Sequence, residues 1–226
     1  MKQSKKILIA NRGVIAIRAL RAARELGYSV ASVYSTIDRD QKHLKLSDEA
    51  ICIGPPETKD SYLNEAAIIS AAELSGADAI YPGFGFLAEN ASFAEKCRES
   101  GFKFIGPDPE VIAIMGDKIK AKELAKSLNI PVVPGYEGEI STENEAIKIV
   151  EEIGYPVIIK ASAGGGGRGM RVVNSSDELW QSIQSAQNEA ELAFGDGKIF
   201  IEKYLKKPRH IEVQIFGNGK GEAVHL

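Results

Sequence analysis

The sequence predicts an α/β protein in which an open parallel sheet wrapped by helices is followed by a smaller α+β unit. Over the first half of the chain, short apolar runs that indicate buried strands alternate with stretches of helical periodicity. The links between them are short, as in a parallel sheet whose strands are joined by helices. Near Pro131 this alternation ends and a different order of strands and helices begins, which indicates a second unit.

The strands predicted in the first region are short apolar runs, and the stretches between them carry apolar side chains at helical spacing. Gly27 and Asp117 mark helix boundaries, the first as a C-terminal stop and the second as an N-cap. Strands are predicted at residues 7–10, 29–34, 51–53, 79–81 and 103–105, and helices at residues 14–26, 63–74, 91–99 and 118–128.

The second region predicts a compact α+β unit that is followed by a hairpin. Strands are predicted at residues 132–133, 156–161, 170–173, 198–204 and 210–216, helices at 143–153 and 177–194, and a turn at 217–219 before a last short strand. A hairpin of this kind is an odd place for a domain to end. We therefore expect the chain to be a piece of a longer protein.

Composition and charge exclude several classes of protein. The net charge is −3, whereas a general nucleic-acid-binding protein needs a positive field. No apolar run approaches the roughly 20 residues of a membrane span, and the apolar stretch near the N-terminus is too short for a signal peptide. Cys52 and Cys97 lie far apart, and the histidines lack metal-ligand spacing. We expect a cytoplasmic protein with reduced thiols and without a zinc site.

The glycine-rich loop at residues 164–169 is the strongest local signal of function. Its glycines match the spacing of a dinucleotide-binding fingerprint, but a strand follows them where that fingerprint needs a helix. They also match a Walker A loop, but Met170 and Arg171 replace the required Lys-Ser/Thr pair. A glycine-rich tip between two strands can instead close its backbone N–H groups over phosphates. The alternative is a disordered surface loop.

Lys160 fits a phosphate site beside this loop. It ends an apolar strand, on the face that alternation also assigns to Ile158 and Ser162. A lysine in this position is well placed to meet a phosphate charge. The alternative is an edge-strand lysine that reaches solvent.

Two later segments fit the same site. Residues 199–205 run from apolar to charged, as a hinge beside an adenine site would. In the strand predicted at 210–216, His210, Glu212 and Gln214 alternate with apolar residues. That polar face is either an exposed sheet face or the floor of a polar site.

A series of motifs along the whole chain resembles the biotin carboxylase family, whose members have the ATP-grasp fold. The motifs occur in the family's order and are very specific. They are Asn11-Arg12-Gly13 with Ile15-Ala16 and Arg18, the run from Tyr81 to Asn90, Phe104-Ile105-Gly106-Pro107, Met115-Gly116-Asp117-Lys118, the run from Gly154 to Ser162, the glycine loop through Met170, Glu202-Lys203-Tyr204-Leu205 and Pro208-Arg209-His210-Ile211-Glu212.

The resemblance implies three domains and a partial ATP site. Residues 1–130 correspond to the pre-ATP-grasp domain with its connecting helix, 131–204 to the ATP-grasp lid, and 205–226 to the truncated start of the central domain. The family's metal-binding glutamates, bicarbonate-contacting lysine and catalytic arginines come later than this chain, so no catalytic or metal-binding residue is expected in it. The implied ATP-binding residues are Lys118, Lys160, Gly165, Gly166, Gly167, Met170, Glu202, Lys203, Tyr204, Leu205 and His210.

The activity that the resemblance implies is an ATP-dependent ligase reaction. In the full enzyme, ATP with Mg²⁺ activates bicarbonate as carboxyphosphate, and biotin on a carrier protein accepts the carboxyl group. The parent is the biotin carboxylase subunit of acetyl-CoA carboxylase, an enzyme of fatty acid biosynthesis, or the equivalent part of pyruvate or propionyl-CoA carboxylase. Its partners would be the biotin carrier, a carboxyltransferase and a second copy in a homodimer, without nucleic acid or membrane. The chain alone is not expected to be active.

Two residues depart from the family pattern, and other readings of the sequence stay open. Val14 stands where the family usually has Glu, and Phe84 where Tyr is common, which removes a hydroxyl near the expected biotin side. The alternatives are another ATP-grasp ligase, such as a carboxylate–amine ligase, a nicotinamide oxidoreductase, and a non-catalytic nucleotide-binding fragment.

Overall fold

The computed structural model describes residues 5–136, 138–161 and 170–226, and the chain forms two compact units, Met1–Ala121 and Lys122–Leu226. Each unit is built around hydrophobic residues of its own. The predicted domain boundaries at residues 130 and 204 stay predictions.

The first unit is organised by a five-stranded sheet in which all neighbouring strands are parallel. This arrangement confirms the predicted open parallel sheet. Its strands are nearly continuous apolar runs because helices cover such sheets on both faces. The strands are β1 (Lys6–Ile9), β2 (Ser29–Ser35), β3 (Glu49–Gly54), β4 (Ala79–Tyr81) and β5 (Lys103–Phe104), in the order β3-β2-β1-β4-β5.

Three helices of this region begin at residues whose side chains accept hydrogen bonds from their first N–H groups. Asn64 and Asn90 each accept a hydrogen bond from the backbone N–H three residues later, as N-caps do. Asp117 accepts from the N–H groups of Ile119 and Lys120. The sequence analysis missed α2 and α5. The helices are α1 (Gly13–Glu25), α2 (Lys42–Leu46), α3 (Glu65–Ser75), α4 (Ala91–Glu99), α5 (Pro109–Gly116) and α6 (Lys118–Ser127).

The strand order creates a topological switch point between β1 and β4. From β1 the chain moves to β2 and β3 on one side, and then returns to β4 on the other side of β1. The carboxyl ends of β1 and β4 therefore lie next to each other, with the two following loops at residues 10–13 and 82–87. Such a crevice is where open α/β sheets bind ligands.

The second unit contains a four-stranded antiparallel sheet with two helices. The strands are β6 (Gly135–Tyr136), β7 (Val157–Ala161), β8 (Arg171–Val173) and β9 (Ile199–Lys203), in the order β6-β9-β7-β8. Helices α7 (Glu143–Ile153) and α8 (Leu179–Phe194) each bury several apolar residues against one face of the sheet. The predicted α+β unit is confirmed, although a 3₁₀ turn at Ser176–Glu178 precedes α8 where a continuous helix was predicted.

Two strand predictions in the second unit were wrong. The strand predicted at 132–133 lies instead at Gly135–Tyr136, where the chain pairs with β9. Of the strand predicted at 210–216, only the end belongs to a strand, because β10 (Ile215–Gly217) pairs with β11 (Ala223–His225). Among the described residues, the preceding segment pairs with no strand, although the carbonyl oxygen of Gln214 accepts a hydrogen bond from the backbone N–H of Leu226. His210, Glu212 and Gln214 therefore lie outside the strand that was predicted for them, and the place of His210 in the ATP site stays a prediction.

In the described part of the chain, no helix combines the length and apolar character that crossing a membrane requires.

Candidate nucleotide site

Strand register brings charged and aromatic side chains together on one face of the second sheet. Along β7, Val157, Ile159 and Ala161 are buried in the core, so Ile158 and Lys160 lie on the opposite face. Lys160 is paired with Phe200 of β9, and Ile158 with Glu202. These four residues therefore share the face that does not carry the core.

Glu202 is at the centre of this face because two lysines bind its carboxylate. The Lys160 Nζ lies 2.6 Å from Glu202 Oε2, and the Lys122 ammonium of α6 donates to Oε1. Only 13% of the Glu202 side chain is exposed. A carboxylate buried to this extent needs such partners, since an uncompensated charge away from water is costly.

An aromatic ring supports both ammonium groups. The Nζ atoms of Lys160 and Lys122 lie 5.7 and 6.0 Å from the centre of the Phe200 ring. These distances are within the range of cation–π attraction. The face thus combines two cations, one anion and one aromatic ring, a set that can bind a phosphate and stack against an apolar group.

The two lysines also set the protonation of Glu202. Burial raises the pKa of its carboxyl group, but the hydrogen bonds and positive charges of Lys122 and Lys160 outweigh burial and hold the pKa below its ordinary value. Glu202 is therefore ionised at neutral pH and acts as an acceptor for lysine.

Lys203 lies on the other face of β9 and has a structural contact. It is paired with the buried Val157. Its Nζ donates to the carbonyl oxygens of Gly154 and Tyr155 at 2.9 and 2.7 Å, where α7 has just ended. A cation is favourable at a helix C-terminus because unpaired carbonyl groups point there. Lys203 was predicted to lie with Glu202 at ATP, but the two side chains lie on opposite faces of β9.

The other predicted ATP-binding residues are spread over several segments. Lys118 is the exposed first residue of α6, and Met170 and Leu205 are each about half exposed. The backbone N–H of Tyr204 donates to the carbonyl oxygen of Pro156. The exposed His210 has its Nε2 atom 2.7 Å from Glu212 Oε1. The predicted flap residues Gly165, Gly166 and Gly167 lie outside the described residues.

Lys122 and Phe200 belong to this cluster but were not predicted as site residues. Lys122 follows Lys118 by four residues, and that spacing places two side chains on one side of a helix. This signal could have identified Lys122. Phe200 looked like an ordinary apolar strand residue, and only the register with Lys160 shows its role.

A second polar cluster lies at the carboxyl end of the parallel sheet in the first unit, and Asp38 is its centre. Asp38 Oδ2 accepts hydrogen bonds from Tyr62 at 2.7 Å, Ser35 at 2.8 Å and Arg12 at 2.9 Å, while Oδ1 accepts from Gln41 at 2.6 Å. Burial raises the pKa of Asp38, but the hydrogen bonds of Tyr62, Ser35 and Arg12, with the charge of Arg12, outweigh burial and lower the pKa below its ordinary value.

The loop after β4 is fixed against this cluster. Buried Asn11 donates from Nδ2 to the carbonyl oxygens of Pro82 and Phe84. The Phe86 ring is stacked on Tyr62, with centroids 4.8 Å apart, although its backbone has a φ of 45° that non-glycine residues rarely adopt. Phe84 lies at the exposed tip of the loop, and Val14 is also exposed. The contacts of the loop hold its strained backbone in one conformation.

Among the described residues, no group of three or more His, Cys, Asp or Glu side chains could hold a metal ion.

Two family models match nearly the whole chain. The model for the biotin carboxylase N-terminal domain matches residues 3–112, and the model for the ATP-binding domain of the carbamoyl-phosphate synthase L chain matches residues 117–226. The biotin carboxylase of Pseudomonas aeruginosa is 54% identical over 222 residues, which are 98% of this chain and 49% of that protein. The chain belongs to the biotin carboxylase family.

Solved structures of biotin carboxylases have the same fold as this chain. The β,γ-ATP complex of the Campylobacter jejuni enzyme is 51% identical, has a TM-score of 0.86, and is matched over 99% of this chain and 50% of that chain. The biotin carboxylase domain dimer of Hydrogenobacter thermophilus 2-oxoglutarate carboxylase, in complex with MgADP, ADP and bicarbonate, is 47% identical with a TM-score of 0.83, over 100% of this chain and 49% of that chain.

The chain spans about half the length of the biotin carboxylases that it matches. The cluster of Lys122, Lys160 and Glu202 lies within the part that the ATP-binding model matches, whereas Asp38 lies within the part that the N-terminal model matches. Membership of this family decides against the nicotinamide oxidoreductase and the carboxylate–amine ligase.

Proposed function

We propose that this chain forms part of the ATP site of a biotin carboxylase, which uses ATP and bicarbonate to carboxylate biotin. The observation that carries the proposal is the pair of lysines held over Phe200 by one carboxylate, within the residues matched by an ATP-binding domain model. Phosphate oxygens are strong acceptors for ammonium groups, so a nucleotide can replace Glu202 as the partner of Lys160.

The remaining ATP contacts in the proposal come from the family resemblance. Lys118 and the glycine loop would bind phosphates, and the segment from Glu202 to Leu205 would border the adenine. Met170 and His210 would complete the nucleotide side. The proposal keeps the domain boundaries 1–130, 131–204 and 205–226, with the second domain as the lid over the nucleotide.

The activity of the whole protein is also part of the proposal. ATP with Mg²⁺ would activate bicarbonate, and biotin on a carrier protein would accept the carboxyl group before a carboxyltransferase uses it. The complexes of two relatives with ATP or with MgADP and bicarbonate support these ligands, and the dimer of one relative supports a homodimer. The free thiols of Cys52 and Cys97 fit a reducing compartment such as the cytoplasm.

Removal of the Lys160 ammonium tests the nucleotide site. We expect Lys160→Ala to weaken MgATP binding by about 1.5–3 kcal/mol, or about 10- to 150-fold, because a hydrogen bond to a charged group is lost. Calorimetric titration of MgATP into the 226-residue chain measures the effect. Lys148→Ala, which removes an exposed lysine of α7, is the matched control. Equal MgATP affinity in the chain with Lys160 and the chain with Ala at that position would reject the assignment.

A further inference from the structure

The Glu202 carboxylate has two cationic partners that differ in origin and in exposure. Lys160 extends from β7, and 30% of its side chain is exposed, whereas Lys122 extends from α6 with 19% exposed. Each lysine binds a different oxygen of the carboxylate. One lysine can therefore leave Glu202 without breaking the contact of the other.

A nucleotide that takes Lys160 away from Glu202 would create an electrostatic problem. Glu202 is largely buried, and a buried carboxylate that loses its only cation is strongly destabilised. Nucleotide binding would then have to supply the free energy for this loss, and affinity would fall. A second cation that stays on the carboxylate removes most of that cost.

We propose that Lys122 is a positioning residue that keeps Glu202 paired while Lys160 moves to a nucleotide phosphate. Lys122 is suited to this task because it is the more buried of the two lysines and lies over the same Phe200 ring. The inference rests on the proposed function, since it assigns Lys160 to a phosphate. It goes further by explaining why a site for an anion contains a carboxylate at all.

If Lys122 has this role, the nucleotide affinity of a variant without Lys122 should depend on pH. Among the described residues, the charged groups that face Glu202 are Lys122 from α6 and Lys160 from β7. Without Lys122, the departure of Lys160 leaves the carboxylate unpaired, and its pKa rises because burial is no longer compensated. The bound state then takes up a proton, so low pH favours binding by the variant more than by the original chain.

Calorimetric titration of MgADP at two pH values, in buffers of different ionisation enthalpy, tests the inference. Lys122→Met removes the charge and keeps an apolar stem of similar length. We expect it to bind MgADP about tenfold more weakly near pH 7.5, with net proton uptake and a smaller deficit near pH 6. Lys122→Arg should restore affinity and abolish proton uptake. Lys126→Met, an exposed position one turn later on α6, should bind as the original chain does.

The outcomes separate this inference from the proposed function. If the original chain binds MgADP and Lys122→Met binds it equally well without proton uptake, Lys122 has no positioning role. If the original chain does not bind MgADP, the proposed function fails. The pairing of Lys122 with the Glu202 carboxylate is then tested by a measurement that needs no nucleotide.

The measurement that needs no nucleotide is a pH titration of the Glu202 carboxyl group, followed by carbon-detected nuclear magnetic resonance. We expect Lys160→Met to raise the pKa of Glu202 only slightly, because Lys122 still binds the carboxylate, and the Lys122→Met/Lys160→Met double variant to raise it much further. A pKa that rises as far in the single Lys160→Met variant would overturn the role of Lys122. If Lys122→Met does not fold, Lys122→Gln replaces it in both measurements.

Discussion

Asp38 and Glu202 are both buried carboxylates whose pKa is held below the ordinary value, but their partners differ in kind. Asp38 is bound by a phenol, a hydroxyl, an amide and one guanidinium group, most of them on side chains that the fold fixes. Glu202 is bound by two lysines, whose long flexible stems allow the ammonium groups to move. Asp38 therefore has a structural role in the fold, whereas Glu202 can exchange one of its lysine partners.

This contrast indicates where a ligand can act. At Asp38, the loss of one partner would leave the carboxylate short of a donor that water could not easily replace, because Asp38 itself is only 4% exposed. At Glu202 an incoming phosphate can compete for an ammonium group that already binds an anion. A shared lowering of the pKa therefore does not distinguish a structural carboxylate from a functional one, whereas the mobility of its partners does.

Removal of Asp38 should give the largest loss of stability. We expect Asp38→Ala to lower the free energy of unfolding by about 3 kcal/mol, because it leaves Arg12 and several buried donors without their acceptor. Urea denaturation followed by circular dichroism measures the loss. Asp40→Ala removes an exposed aspartate two residues later and should change stability by less than about 0.5 kcal/mol. Equal losses in the two variants would mean that the Asp38 cluster is not a structural element.

A methyl group at Gly83 should give an intermediate loss by disturbing the loop beside this cluster. A Cβ there would lie 2.5 Å from Ile15 Cγ2 and 2.9 Å from Asn11 Nδ2, and φ is +71°. We expect Gly83→Ala to cost about 2 kcal/mol from overpacking and backbone strain. Gly85→Ala measures the backbone strain alone, because φ is +73° and a Cβ at Gly85 would have no atom within 4 Å. It should cost about 1 kcal/mol. Thermal denaturation of both variants compares them, and a cost at Gly85 as large as at Gly83 would contradict the close packing.

Glu202 should make the smallest contribution, and acid should remove it. Its pKa lies below the ordinary value of 4.5 in the folded chain. Its stabilisation is therefore fully present above the unfolded pKa and is lost as the pH falls through the folded pKa. We expect Glu202→Gln to lower stability by about 1 kcal/mol near pH 7, with the difference shrinking below about pH 4.

Urea denaturation followed by the fluorescence of Trp180 measures this difference, since Trp180 is the single tryptophan and packs in the second unit. Glu143→Gln, at an exposed position of α7, serves as the control. A difference between Glu202→Gln and the original chain that grows on acidification would reverse the sign and reject the ion pairs.

Most of the fold could be predicted because its elements follow from local patterns. The helices at Ala91–Glu99 and Glu143–Ile153 have the predicted bounds, and the parallel strands were visible as short apolar runs. The strand predicted at 210–216 shows the limit of this reasoning. Its alternation of polar and apolar residues is real, but whether an extended segment becomes a strand depends on a neighbour that pattern alone cannot supply.

The candidate site could be predicted only in part. Lys160 was found because a lysine on an apolar strand beside glycines is unusual, and Glu202 was found through the family motif. Their ion pair depends on the register of β7 and β9, which brings together residues 42 positions apart. Lys122 adds a contact over 80 positions. Separations of this kind are set by tertiary packing and leave no trace in local periodicity.

Strand β9 carries opposite charges on its two faces, and this arrangement favours the observed register of β9 with its neighbouring strands. Glu202 meets two ammonium groups on one face, while Lys203 meets the carbonyl oxygens of Gly154 and Tyr155 on the other. A slip by one residue would exchange the faces of every side chain on the strand. It would direct a lysine towards the two ammonium groups and a carboxylate towards the carbonyl oxygens, so that like charges would oppose each other on both sides. The charged residues therefore favour one register of the strand, in addition to the hydrophobic pattern that buries Ile199 and Ile201.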